Sequence, residues 1–132
     1  FIRHGVAINI SDKVKKYQDN MYRHHYSKKA NRINLGIRTL INRYISLKKF
    51  DFVIKHVGYS IKELMDHIEK LFKPGMSWDN RSFWHIDHIQ PICSFNIQEK
   101  GDEEYNKCWA LSNLQPLWAA DNFKKSKKFD NN

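Results

Sequence analysis

Hydrophobic spacing changes period at Pro74-Gly75, and that break limits the chain to a helical part followed by a part built on short strands. Before it, Ser60-Ile61-Lys62-Glu63 spells a capping box, with Ser60 and Glu63 satisfying backbone donors at a helix start. Leu64, Ile68, Leu71 and Phe72 continue at helical intervals, Tyr59 and Leu64 are placed as a hydrophobic staple, and Pro74-Gly75 ends the helix. Upstream, Leu35, Ile37, Leu40, Ile41, Tyr44, Ile45 and Leu47 predict a helix over 35–48 with a broad apolar face. Asn34 is its expected N-cap, and Gly36 weakens its start. Val14, Tyr17, Met21 and Tyr26, set among lysines, predict a basic helix over 12–31.

After the break, Phe83 to Ile89 reads as a short strand. Residues 92–112 form a connecting excursion with room for a short helix from Asp102 to Trp109. Asn113 to Leu117 is the second strand, with Pro116 confining it to an edge or an end. From Trp118 to about Lys128 the chain can form a helix with lysines at its negative end. The expected class is α+β: a mostly helical basic lobe over 1–75, then strand, loop, strand and helix over 76–132.

Charge follows the same division. Residues 1–75 hold 16 Lys and Arg against 6 Asp and Glu, and residues 76–132 hold 7 against 8, so the net charge of +9 sits in the first part. Such segregation favours a polyanion as partner over a merely soluble surface. No run reaches the roughly 20 apolar residues of a membrane span. Cys93 and Cys108 form no CxxC pair, which excludes a four-cysteine structural zinc site and predicts reduced, packed thiols in an intracellular protein. The start at Phe1 lacks an initiator Met and reads as a fragment's start.

Three separated segments carry the chemistry: Trp84-His85-Ile86-Asp87-His88-Ile89-Gln90-Pro91, Asn113-Leu114-Gln115-Pro116-Leu117-Trp118, and Asp121-Asn122-Phe123-Lys124-Lys125. With Gly58-Tyr59-Ser60, Glu63-Leu64 and Trp78-Asp79-Asn80, the stretch from Gly58 to Lys128 resembles the HNH endonucleases of the ββα-metal fold, phage and bacterial type. The resemblance implies that Asp87 is a metal ligand, His88 the general base and Asn113 the residue tying the loop between the strands. Asn122 stands where many members have a final His, which makes this an H-N-N variant. Trp118 and Asp121 stand where some members have zinc-knuckle cysteines, so no structural zinc is expected. The resemblance also implies 5′-phosphate and 3′-hydroxyl products. Residues 1–57 carry no such match.

The residue types suit that chemistry on their own terms. Phosphodiester hydrolysis needs a deprotonated water and a cation on the developing charge. A neutral His, with an unperturbed pKa of ~6.5, can take the proton, and an adjacent carboxylate can hold the cation. Asp87 with the amide oxygen of Asn122 is a hard set suited to Mg²⁺, with Mn²⁺ as substitute. A solvent-facing Asn122 and an ordinary turn at Asn113 are the plain alternatives. His85 shares the strand face of Asp87 and is an accessory position able to reach a phosphate or a metal-bound water. Lys124, Lys125, Lys127 and Lys128 could clamp the strand being cut, or be a solvated helix end. Lys28, Lys29, Arg32, Arg38 and Arg43 are the candidates for duplex contact.

The expectation is a metal-dependent endonuclease acting on double-stranded DNA in a bacterial or phage-infected cell. The rivals are a noncatalytic DNA-binding module on the same scaffold and a nuclease for RNA or single strands. One site cuts one strand, so double-strand cleavage would call for a homodimer or a turnaround.

Overall fold

Ile33, Ile37, Ile41 and Ile45 recur every fourth residue, and a helix sets such residues in one stripe. In the computed structural model, which describes residues 28–131 and the side chains of 29–125, that stripe is the buried face of α1 (Lys28–Ser46). The helix is therefore longer at its start than the spacing predicted, and its apolar face is narrower. Leu35 is 64% exposed, and Leu47 lies beyond the helix end. Asn34 is not an N-cap: it sits inside α1, donating from Nδ2 to the Ala30 carbonyl at 3.1 Å and accepting from Trp109 Nε1 at 3.0 Å. Val14, Tyr17, Met21 and Tyr26 fall outside the described residues.

The capping box forms as read. Ser60 Oγ accepts from the Glu63 amide at 3.0 Å, Glu63 Oε1 accepts from the Ser60 amide at 2.9 Å, and α2 (Ile61–Lys70) follows. Its Ile61, Leu64 and Ile68 are wholly buried against the α1 stripe in one hydrophobic cluster. A turn over 78–83 comes next, in which Asn80 accepts from the Ser77 amide and donates to the Gly75 carbonyl. Phe72, Trp78 and Trp84 pack around it with ring centroids 5.1 to 5.3 Å apart.

β1 (Trp84–His88) pairs antiparallel with β2 (Leu114–Trp118), Trp84 opposite Trp118 and His88 opposite Leu114. Pro116 sits opposite Ile86 in this two-stranded ribbon, where each strand is an edge. The excursion between the strands carries α3 (Glu103–Cys108), and α4 (Ala119–Asn131) follows β2 directly. His67 of α2 bonds the Leu114 carbonyl at 2.9 Å, and Tyr59 donates to the Trp109 carbonyl at 2.7 Å. One core thus joins α1 and α2 to the sheet, from Ile33 to Leu114.

Two residues fix the excursion. Asp102 caps α3: its carboxylate accepts from the amides of Tyr105, Gln98 and Glu99 at 2.8, 2.9 and 3.1 Å. Burial acts against its ionisation, but these three amides and Lys29 outweigh it and hold the carboxyl below its usual 3.8. Asp102→Ala should cost about 1–2 kcal/mol, as lost caps do. The depressed group stabilises the fold above pH 3.8 and ceases to as the pH falls below it, so the deficit of the variant should shrink in acid. Chemical unfolding at neutral and acid pH measures both. Gly101 has a φ of +83°, and a Cβ there would lie 2.6 Å from His56 Nδ1. Gly101→Ala is expected to cost about 1–3 kcal/mol in the same assay.

Candidate active site

Alternation along β1 places His85 and Asp87 on one face, toward α4. Antiparallel register sets Gln115 directly opposite Asp87, and Gln115 Nε2 donates to Asp87 Oδ2 at 3.0 Å. On α4, Asn122 and Lys125 are three apart and share the side that meets the strand. Lys125 Nζ lies 2.8 Å from Asp87 Oδ2 and 2.8 Å from the His88 carbonyl oxygen. Asn122 Nδ2 lies 3.3 Å from His85 Nδ1. The structure thus pairs Asp87 with Lys125 and Gln115, and Asn122 with His85; it shows no hydrogen bond between Asp87 and Asn122.

His88 turns to the opposite side of the ribbon. Its ring meets Trp109 edge-on at 4.3 Å, and it is 5% exposed. Nε2 is buried and has no hydrogen-bond partner among the described residues. Burial is the main cause that lowers this imidazole from 6.5 to about 3; Arg38 adds to it, Asp87 opposes it and Lys125 adds again. The ring is therefore neutral at physiological pH, and in this buried setting it takes up a proton only weakly. A buried, unpaired ring nitrogen costs stability.

Asn113 ties the loop. Its Oδ1 accepts from the Gln90 amide at 2.8 Å, and its Nδ2 donates to the carbonyls of Cys108 and Gln90 at 2.9 and 3.2 Å. With the Ile89 amide on the Asn113 carbonyl at 2.8 Å, these bonds close the excursion onto the end of β1. Asn113 touches neither Asp87 nor His88 through a hydrogen bond, so its part is positioning. Three backbone partners at about 1 kcal/mol each make Asn113→Ala an expected loss of about 2–3 kcal/mol in urea unfolding. Asn113→Asp keeps the acceptor but sets an anionic oxygen against the carbonyls of Cys108 and Gln90, so its loss should be at least as large.

Lys29, Arg32, Arg38 and Arg43 are exposed along α1, and Lys124 along α4. Of these, Arg38 reaches the site electrically, through its effect on His88 and on Cys108. The side chains of Lys28, Lys127 and Lys128 lie outside the described residues. Burial pushes the Cys108 thiol up to about 12, which makes it a packed, unreactive group.

No three His, Cys, Asp or Glu side chains gather into a cluster among the described residues. A cation at Asp87 would rely instead on one carboxylate, amide or carbonyl oxygens and water, which is how Mg²⁺ is commonly held. The donors present fit that demand. Asp87 Oδ2 and the His88 carbonyl already hold a cation between them, the Lys125 ammonium. Asn122 and His85 stand next along the same strand and helix faces.

Sequence reasoning missed three residues here. Gln115 follows from laying the two strands antiparallel and reading across from Asp87. Trp109 lies at the end of the short helix expected from Asp102, and nothing in the sequence pairs it with His88. Asn34 looked like a cap, yet its amide holds the Trp109 indole.

No family model matches the chain, and no solved structure matches it. An uncharacterized protein of Acanthamoeba polyphaga mimivirus is 37% identical over 75 residues, covering 56% of this chain. The chain spans about a third of that relative, 32% of its length.

Proposed function

We propose that this chain is a divalent-metal-dependent DNA endonuclease. The observation that carries the reading is the meeting of β1 and α4: Lys125 reaches the buried carboxylate of Asp87 at 2.8 Å, and Asn122 meets His85, on the same strand face, at 3.3 Å. That arrangement agrees in order and residue type with the HNH resemblance. Asp87 and Asn122 would hold Mg²⁺ or Mn²⁺, with His85 beside them, and the ion would supply charge stabilisation at the scissile phosphate. His88 would take the proton of the attacking water through its unpartnered Nε2, which must first be uncovered from its place against Trp109. Asn113 sets the loop against β1 so that Asp87 and His88 keep their places. Lys29, Arg32, Arg38, Arg43 and Lys124, with Lys28, Lys127 and Lys128, are the cations for the duplex backbone, so affinity should fall steeply with salt.

Supercoiled plasmid incubated with Mg²⁺, Mn²⁺ or Zn²⁺ tests the reading directly. Relaxation by the purified chain in Mg²⁺, absent in EDTA and lost in Asp87→Ala, is the expected result. A plasmid that stays supercoiled in every metal sinks it. A second reading, a DNA-binding module without catalysis, draws on the sealed Nε2 of His88 and on the neutralisation of Asp87 by Lys125. It predicts salt-sensitive duplex binding with no relaxation. The charge on α1 suits any nucleic-acid backbone, so labelled duplex, single strands and RNA run side by side identify the substrate. No helix among the described residues is long and apolar enough to cross a membrane.

A further inference from the structure

We propose that the Lys125 ammonium occupies the cation subsite on Asp87 and that a divalent ion and this ammonium exclude one another there. Loading the ion then frees Lys125 to bind the phosphate being cut. The inference rests on the nuclease reading and adds a switch of partners at one residue.

Asp87 is 8% exposed, and a carboxylate so far from water requires a counter-charge. Lys125 supplies it, and does so by bonding two oxygens at once: Asp87 Oδ2 and the His88 carbonyl, both at 2.8 Å. Both are hard oxygens, the type a small divalent ion takes as readily as an ammonium, although such an ion draws its oxygens closer, to about 2.0–2.1 Å. Two cations cannot share the pair of oxygens, because each would face the other's charge at short range with little water between. Gln115 stays on Oδ2 at 3.0 Å from the neighbouring strand, so the carboxylate keeps its orientation when the ammonium leaves. Lys125 has somewhere to go: its side chain is 28% exposed, against 9% for that of Asp87. A flexible four-carbon stem with three donors is suited to follow a phosphate oxygen. Metal and substrate sites would then be coupled through a single side chain, without any backbone movement.

The test uses the full chain and Lys125→Met, stripped with EDTA and titrated calorimetrically with Mn²⁺. If the ammonium holds the subsite nine-tenths of the time, removing it should tighten Mn²⁺ binding by roughly tenfold. In EDTA the variant should melt lower than wild type, since Asp87 loses its partner, and saturating Mn²⁺ should raise its melting temperature more than that of wild type. Affinity unchanged or weakened in the variant overturns the proposal and leaves Lys125 as a fold-supporting ion pair. Should Lys125→Met not fold, wild type alone decides: the side-chain ammonium NMR signal of Lys125, protected in EDTA, should be lost on Mg²⁺ saturation. Its persistence overturns the proposal. If wild type cuts plasmid while the signal persists, only this inference fails. If wild type and variant neither bind a divalent ion nor cut, the nuclease reading fails and takes the inference with it.

Discussion

His88→Leu should lower Mg²⁺-dependent plasmid relaxation by roughly 10²–10⁴-fold, the usual contribution of a general base. The same exchange should leave stability within about 1 kcal/mol of wild type, because it removes a buried nitrogen with no partner while losing an edge contact with Trp109. A large loss of activity without a loss of stability is what separates a functional imidazole from a structural one. The pH dependence adds a sign. Above 6.5 the imidazole is neutral folded or unfolded and contributes nothing to the balance. Below 6.5 the unfolded chain takes a proton that the folded chain refuses until about 3, so wild type loses stability across that window as the pH falls. His88→Leu should flatten this slope. Relaxation rates within about tenfold of wild type would remove His88 from the mechanism. A melting temperature far below wild type would make its ring a packing element.

Local chemistry was legible and long-range pairing was not. Ser60 and Glu63 declared the start of α2 three residues apart, because a capping box is closed by neighbours in sequence. The strands around Asp87 and Gln115 were placed to within a residue or so, since aromatic and β-branched runs bounded by turn residues leave little choice. Leu35 and Asn34 misled for opposite reasons. Leu35 is apolar but falls outside the narrow stripe that α1 buries, and Asn34 has a cap's side chain but spends it on Trp109, 75 positions away. The partners of Asp87 were recoverable in part: strand register yields Gln115, whereas the reach of Lys125 across the strand depends on how α4 docks. The burial of His88 was unreadable, because Trp109 comes to it from the connecting excursion, where spacing carries no rule.

Trp109→Ala should cost about 3–5 kcal/mol, a large share of the 5–15 kcal/mol typical of a domain. The indole is 2% exposed and joins three parts of the chain. Nε1 donates to Asn34 of α1 at 3.0 Å, the ring lies against His88 of β1, and the carbonyl of the same residue accepts from Tyr59 ahead of α2. A double-mutant cycle isolates the first of these. Asn34→Ala and Trp109→Phe each remove one partner, and the coupling between them is expected in the range of about 0.5–3 kcal/mol by chemical unfolding. Sizeable coupling means that α1, although outside the resembling stretch, sets the wall on which His88 rests. Trp109→Phe should then disturb cleavage as well as stability, since a smaller ring no longer holds the His88 imidazole in its place. Additive costs, with cleavage untouched in Trp109→Phe, would instead make α1 a basic arm that binds DNA and leaves the reacting groups alone.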